Sequence, residues 1–194
     1  MALHPYPSPA VTVMLWASVA AFAIGEILQA ARWHRGGHLA DPLGEVLFRL
    51  LFVGGVLLLP LGLTVAPAAV LPESPLPIII GGVVAWLGML LRWWSFASLG
   101  RDFTLVVQTR PGQVVVDRGP YRVLRHPSYS GLLLILAGCA LILGNWASLL
   151  GSMLVITTAL VYRIRREEAA LLDALGDAYA EYAAGRARLV PFIW

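Results

Sequence analysis

Hydrophobic residues run along this chain in long uncharged stretches, Met1 to Ile24, Leu50 to Pro72, Ser74 to Leu91 and His126 to Tyr162, and the segments between and after them hold all the charge. Each stretch can hold at least one bilayer crossing, which takes ~20 apolar helical residues. Pro5, Pro7 and Pro9 keep the start out of a helix, so the pattern predicts a first crossing from roughly Pro9 to Ala31. No arginine precedes it, and a cleaved signal peptide needs a basic start, so this segment reads as a retained helix. A second crossing is expected at Val46 to Ala69 and a third at Leu76 to Leu99, flanking a corner rich in proline: Pro67, Pro72, Pro75 and Pro77. Ser128 to Tyr162 is too long for one span, and the turn signal Gly144-Asn145 divides it into halves of about 16 residues, a tight helical hairpin. Beyond it, Leu171, Leu172, Leu175, Tyr179 and Tyr182 recur at helical spacing and predict an amphipathic helix from Tyr162 to Ala184. The fold class is thus an all-α integral membrane protein with about five transmembrane helices, the last two a tight hairpin, plus a cytoplasmic C-terminal amphipathic helix.

Composition agrees with a membrane solvent. Of 194 residues, 59% are apolar and 13% charged, which excludes a soluble globule and a disordered chain. Cys139 is the single cysteine, so no disulfide framework exists. The four histidines, His4, His34, His38 and His126, stand without ligand partners at useful spacing, and no metal is expected. All 14 basic residues are arginine and the net charge is +3, but they lie beside hydrophobic spans rather than along one soluble face, so no nucleic-acid partner is expected. Their distribution sets a topology instead. The N-terminal tail, the corner near Pro72 and the turn near Asn145 hold no arginine, whereas Arg32, Arg35, Arg101, Arg110, Arg118, Arg122, Arg125, Arg163, Arg165, Arg166, Arg186 and Arg188 share the other side. Positively charged loops stay cytoplasmic, which puts the N-terminus outside and the segments Gly100 to Arg125 and Arg163 to Trp194 on the cytoplasmic face.

Those two segments hold the candidate chemistry. Pro127 suits the first turn of a helix, because its missing N–H would be unpaired there and its φ is already helical. His126 then stands at the helix entrance, where free N–H groups favour a carboxylate or another anion. On residues alone, Arg125-His126-Pro127 reads equally as an anchored helix start. In the second segment Glu167 and Glu168 precede Leu171 and Leu172 by four residues and continue the apolar stripe, and Arg163 precedes Glu167 by four. The plainer reading is an i,i+4 ion pair; the functional one makes Glu167 a ligand partner and turns Arg163 toward an anionic group.

Taken in order, Gly100-x-x-Phe103, Val106-Val107-Gln108, Gly119-Pro120-Tyr121, Arg125-His126-Pro127-Ser128-Tyr129-x-Gly131, Glu167-Glu168, Gly176-x-x-Tyr179-x-x-Tyr182 and Leu189-Val190-Pro191-Phe192-Ile193 resemble the isoprenylcysteine carboxyl methyltransferase family. The wider superfamily includes phospholipid methyltransferase-like integral membrane enzymes. The resemblance covers about Leu99 to Trp194; at Thr104-Leu105 the chain lacks the asparagine and histidine of eukaryotic members. It implies one membrane methyltransferase domain over 1–194, with three spans in 1–99 and a cofactor-binding catalytic half in 100–194. The cofactor implied is S-adenosylmethionine, leaving as S-adenosylhomocysteine. By resemblance it is held by Gln108, Gln113, Val114, Val115, Val116, Tyr121, His126, Pro127, Ser128, Tyr129 and Glu167. Arg163 matches the family's substrate-contacting arginine, and Arg163 and Glu167 are the catalytic pair. The implied partners are membrane lipid and a lipophilic small-molecule or prenylated acceptor, most simply a carboxylate, already ionised and in need of no general base. An amine acceptor, as in a phospholipid N-methyltransferase, would need Glu167 or Glu168 to take a proton. A nonenzymatic membrane scaffold would fit the hydropathy and leave the ordered polar motif without a role.

Overall fold

A computed structural model of the chain describes residues 13, 17, 20–28, 38–39, 42–72, 74–100, 108–109, 115–191 and 193–194, with backbone alone at 38–39, 42 and 108–109. The chain divides into two units, Met1–Trp33 and His34–Trp194. In the first, the described residues are helical at 13, 17 and 20–28 (α1), in the middle of the expected first crossing.

The second unit contains α2 (Pro42–Val65), α3 (Leu76–Leu99), a 3₁₀ turn (Gly119–Arg122), α4 (Pro127–Leu143), α5 (Trp146–Leu175) and α6 (Asp177–Ala184). A two-residue strand β1 (His38–Leu39) pairs antiparallel with β2 (Gln108–Thr109), the sole departure from helix among the named elements. α4 packs against α3 on one side and α5 on the other, and α2 packs on α5, so the helices stand in the order α3, α4, α5, α2. Outward faces are apolar: Leu43 is 84%, Val65 74% and Leu154 71% exposed, which only a lipid solvent tolerates on this scale.

Leu43–Val65, Leu76–Leu99 and Trp146–Leu175 are long and apolar enough to cross a membrane. The third crossing falls where the pattern puts it, and the second starts four residues earlier, at Pro42, whose fixed φ suits a first turn. The hairpin is tight but unequal. Gly144 takes a left-handed conformation (φ 68°) and the Asn145 side chain accepts from Ser148 N–H at 2.8 Å to start α5. Asn145 Nδ2 donates to Ala66 O at 2.9 Å, and Leu71 N–H donates to Gly144 O at 2.8 Å, so the Pro-rich corner and the hairpin turn meet at one end of the bundle.

α4 has 17 residues, a rise of about 26 Å against a ~30 Å hydrocarbon core. α5 has 30 and does not end near Tyr162, which corrects the reading of a short fifth span followed by a separate amphipathic helix. Tyr162 to Glu168 contain neither glycine nor proline, so charge alone does not stop the helix; it stops at Gly176, whose φ of 56° few other residues adopt. The expected apolar stripe is likewise divided: Tyr179 and Tyr182 are buried on α6, whereas Leu172 on α5 is 48% exposed.

The α3–α4 contact runs through facing glycines. A Cβ on Gly88 would lie 2.5 Å from Gly131 O and 2.8 Å from Ile135 N, and one on Gly131 would lie 2.6 Å from Gly88 O. The opposing atoms are backbone and cannot rotate away. Gly88→Val should therefore cost about 3 kcal/mol or more, the upper range for overpacking, read as a lowered melting temperature in detergent. Gly54, which has nothing within 4 Å of an added Cβ, is the control: Gly54→Ala should hold or raise stability through helix propensity.

Candidate active site

The charged residues gather at the end of the bundle opposite the hairpin turn, where α2 begins, α3 ends and α4 begins. α5 passes through this level, 17 residues along from its start, at Arg163. Pro127 occupies the first turn of α4 and His126 its N-cap position, without a side-chain cap. Here the helix entrance carries two separate carboxylate clusters.

In the first, Arg163 Nε donates to the Tyr129 hydroxyl at 2.7 Å, and that hydroxyl donates to Glu167 Oε2 at 2.7 Å. The expected i,i+4 pair of Arg163 and Glu167 is thus joined through Tyr129 of α4. Arg163 is 6% exposed, and its Nη1 donates to Glu45 Oε2 at 2.7 Å, while its guanidinium lies 4.4 Å from the Phe48 ring centroid. Glu45 and Phe48 belong to the first two turns of α2, and sequence reasoning missed them. The available signal was Glu45 standing four residues before Arg49 beside an apolar span, and its other oxygen does accept from Arg49 Nε at 2.9 Å.

The second cluster surrounds Glu168. Arg125 Nη1 donates to its Oε1 at 2.9 Å, His126 Nε2 lies 3.2 Å from the same oxygen, and Arg188 Nε donates to Oε2 at 2.9 Å. His126 is 5% exposed, its ring stacks on Tyr129 at 5.6 Å, and its backbone N–H donates to Arg188 O at 3.0 Å. Ser130 Oγ donates to Leu189 O at 2.5 Å, so the C-terminal segment is bound to the start of α4. The two neighbouring glutamates therefore differ: Glu168 is enclosed by cations, whereas Glu167 accepts a phenol.

Of the other expected site residues, Tyr121 is buried on the 3₁₀ turn, and its carbonyl accepts from the Tyr182 hydroxyl at 3.0 Å. Burial first, then the Glu167 carboxylate, hold the Tyr121 phenol well above the ordinary phenol range, so it remains an O–H donor. Burial likewise pushes the Tyr182 phenol up to about 12. Ser128 turns its carbonyl to Arg92 Nη1 at 3.0 Å and Pro127 is fully buried. Val115 and Val116 are half-buried just before the 3₁₀ turn. Gln108 is in β2, with only its backbone described, and Gln113 and Val114 lie outside the described residues. The structure thus brings Tyr121, His126, Tyr129, Arg163 and Glu167 together around the α4 entrance.

This end of the bundle fits a charged, polar cofactor. Tyr179 is 6% exposed and its hydroxyl is buried without a hydrogen-bond partner among the described residues. Burial first, then Glu168 and Glu167, hold that phenol above its ordinary range, so it is an O–H donor beside both carboxylates. A buried donor without a partner costs about 1–3 kcal/mol, which a ligand acceptor would recover.

Residues 80–173 match the model of the isoprenylcysteine carboxyl methyltransferase (ICMT) family. Protein-S-isoprenylcysteine O-methyltransferase B of Arabidopsis thaliana is 35% identical over 55% of this chain and 55% of its own length. The Schizosaccharomyces pombe protein-S-isoprenylcysteine O-methyltransferase is 35% identical over 50% of this chain and 42% of its own. A solved structure of the eukaryotic intramembrane Ras methyltransferase, isoprenylcysteine carboxyl methyltransferase, superposes with a TM-score of 0.62 at 28% identity, covering 75% of this chain and 52% of that one. The resemblance read from the sequence holds over this region, and the chain spans about half the length of the curated relatives it matches. Tyr129, Arg163 and Glu167 fall inside the matched residues; Glu45 and Phe48 fall outside them.

Proposed function

We propose that this chain is an integral membrane methyltransferase that uses S-adenosylmethionine to methylate the carboxylate of a lipophilic acceptor, as an isoprenylcysteine carboxyl methyltransferase does. The observation that carries the reading is the linked Glu167, Tyr129 and Arg163, drawn from two helices within the residues that match the family. Bound S-adenosylmethionine supplies a methyl group on a sulfonium, which leaves by in-line displacement and needs no acid or base when the acceptor is a carboxylate. The protein's part is alignment and exclusion of water. Glu167 and Tyr129 offer a carboxylate and a phenol to the cationic part of the donor, and the Tyr179 hydroxyl and Tyr121 add polar contacts. Gln108, Gln113, Val114, Val115, Val116 and the His126 to Ser128 backbone complete the cofactor site. Arg163 holds the acceptor carboxylate at the bilayer edge, and the acceptor's apolar part stays among the lipid-facing helices.

The test is to incubate the detergent-purified protein with native lipid extract and methyl-labelled donor. A base-labile methyl ester on a lipophilic product is expected; label found only as N-methyl, or no label with no S-adenosylhomocysteine binding, overturns the proposal.

With five crossings, the arginine distribution puts the N-terminus outside and the active site in the cytoplasm. A reporter active only outside the cytoplasm should work when inserted at the Asn145 turn and fail when fused to Trp194; the reverse result sinks this orientation.

A further inference from the structure

Glu45 binds Arg163 from outside the family-matched residues, and it changes the charge of the site. Its side chain is 11% exposed and lies 2.7 Å from a guanidinium whose side chain is 6% exposed, so the pair is mostly shielded from water. Arg49, on its other oxygen, is 63% exposed and largely screened. Counted formally over these three described side chains, Glu45 and Glu167 contribute two negative charges and Arg163 one positive, an excess of one negative charge around the Tyr129 hydroxyl. Without Glu45 that count is zero, with Glu167 alone among these side chains to balance Arg163 where a sulfonium must bind.

Resting on the cofactor proposed above, we infer that Glu45 is a positioning residue that neutralises Arg163, so that the site favours the cationic methyl donor over its neutral product. The two ligands differ by one methyl group and one charge: S-adenosylmethionine carries a sulfonium and S-adenosylhomocysteine a thioether. A charge near the sulfonium therefore acts on one and not on the other. A mere loss of packing would act on both alike. Arg163 can then serve the acceptor carboxylate without repelling the donor.

The experiment is a double-mutant cycle on the full chain in detergent, measuring the dissociation constants of both ligands for wild type, Glu45→Gln, Arg163→Gln and the double variant. Only the ratio of the two constants is read, so a partly misfolded preparation lowers capacity and leaves the ratio unchanged. All other charges around the site are the same in the four proteins. Removing one unit charge from a shielded site at an effective dielectric constant of about 20 changes a neighbouring cation's affinity by roughly five- to twentyfold. The preference for S-adenosylmethionine should fall by that factor in Glu45→Gln, rise in Arg163→Gln, and return to within about twofold of wild type in the double variant, which restores the formal count. A ratio that does not move in Glu45→Gln, or does not return in the double variant, overturns the inference. Wild type that binds neither ligand overturns instead the cofactor reading on which it rests.

Discussion

Arg163→Lys should lower methyl transfer by roughly ten- to a hundredfold while S-adenosylmethionine affinity stays within about threefold of wild type. The guanidinium donates through Nε to Tyr129 and through Nη1 to Glu45, both at 2.7 Å, and lies over the Phe48 ring, 4.4 Å from its centroid. A lysine ammonium is a point charge on a flexible stem and cannot keep all three contacts at once. Losing one hydrogen bond to a charged group costs about 1.5–3 kcal/mol, which gives the stated factor. Because the positive charge remains, the balance with Glu45 and Glu167 is unchanged, and so is donor binding. Single-turnover rates and donor affinity measured on the same preparation separate the two effects. Full turnover in the lysine variant would show that a charge at this position is enough and that the fork takes no part in holding the acceptor.

The hydrophobic pattern made most of the fold legible, because the described span ends are set by features that act locally. Leu76–Leu99 is framed by Pro75 and Gly100, and the hairpin turn by Gly144 and Asn145, whose side chain both caps α5 and reaches Ala66. The end of the last long helix was misplaced for a physical reason. A rise in polarity at Tyr162 marks where the helix leaves an apolar layer, and helix propensity is indifferent to that boundary. Gly176, with its positive φ, was the local signal that terminates the helix.

The site was legible to the extent that it lies in contiguous motif residues. His126 to Tyr129 and Arg163 to Glu167 can be read as a pair of segments, and they meet as expected. The i,i+4 spacing of Arg163 and Glu167 suggested a direct pair, yet it says nothing of a phenol reaching between them from α4. Glu45 was beyond reach for the same reason: it stands 118 positions before Arg163, and only the packing of α2 on α5 brings them together. The partition of two adjacent glutamates into different surroundings also depends on tertiary packing, since one helical step of about 100° turns Glu168 toward the C-terminal segment and Glu167 toward Tyr129.

That partition carries the second large effect. Glu168→Ala should destabilise the fold by about 3–5 kcal/mol, the cost of leaving a buried partner charge unpaired, whereas Glu167→Ala, which removes the acceptor of one phenol hydrogen bond, should cost about 1–3 kcal/mol and weaken donor binding. Glu168 is the point where α5, the α4 entrance and the C-terminal segment meet, through Arg125, His126 and Arg188. Arg125 is 13% exposed on its side chain, which among the described residues keeps only its bond to Arg186 O after the change, while Arg188, at 31%, regains water more readily. The charge left unpaired at Arg125 therefore dominates the cost. The segment joined to α4 by Arg125 N–H to Ala187 O at 2.8 Å and His126 N–H to Arg188 O at 3.0 Å should loosen first. Limited trypsin digestion would report it as faster cleavage after Arg186 and Arg188, alongside a lower melting temperature in detergent. Glu168→Gln should fall between, since its amide oxygen accepts from one arginine while its amide nitrogen faces another donor. If Glu168→Ala instead keeps the wild-type melting temperature and digestion rate but loses donor binding, Glu168 belongs to the ligand site and the two glutamates act on the cofactor together.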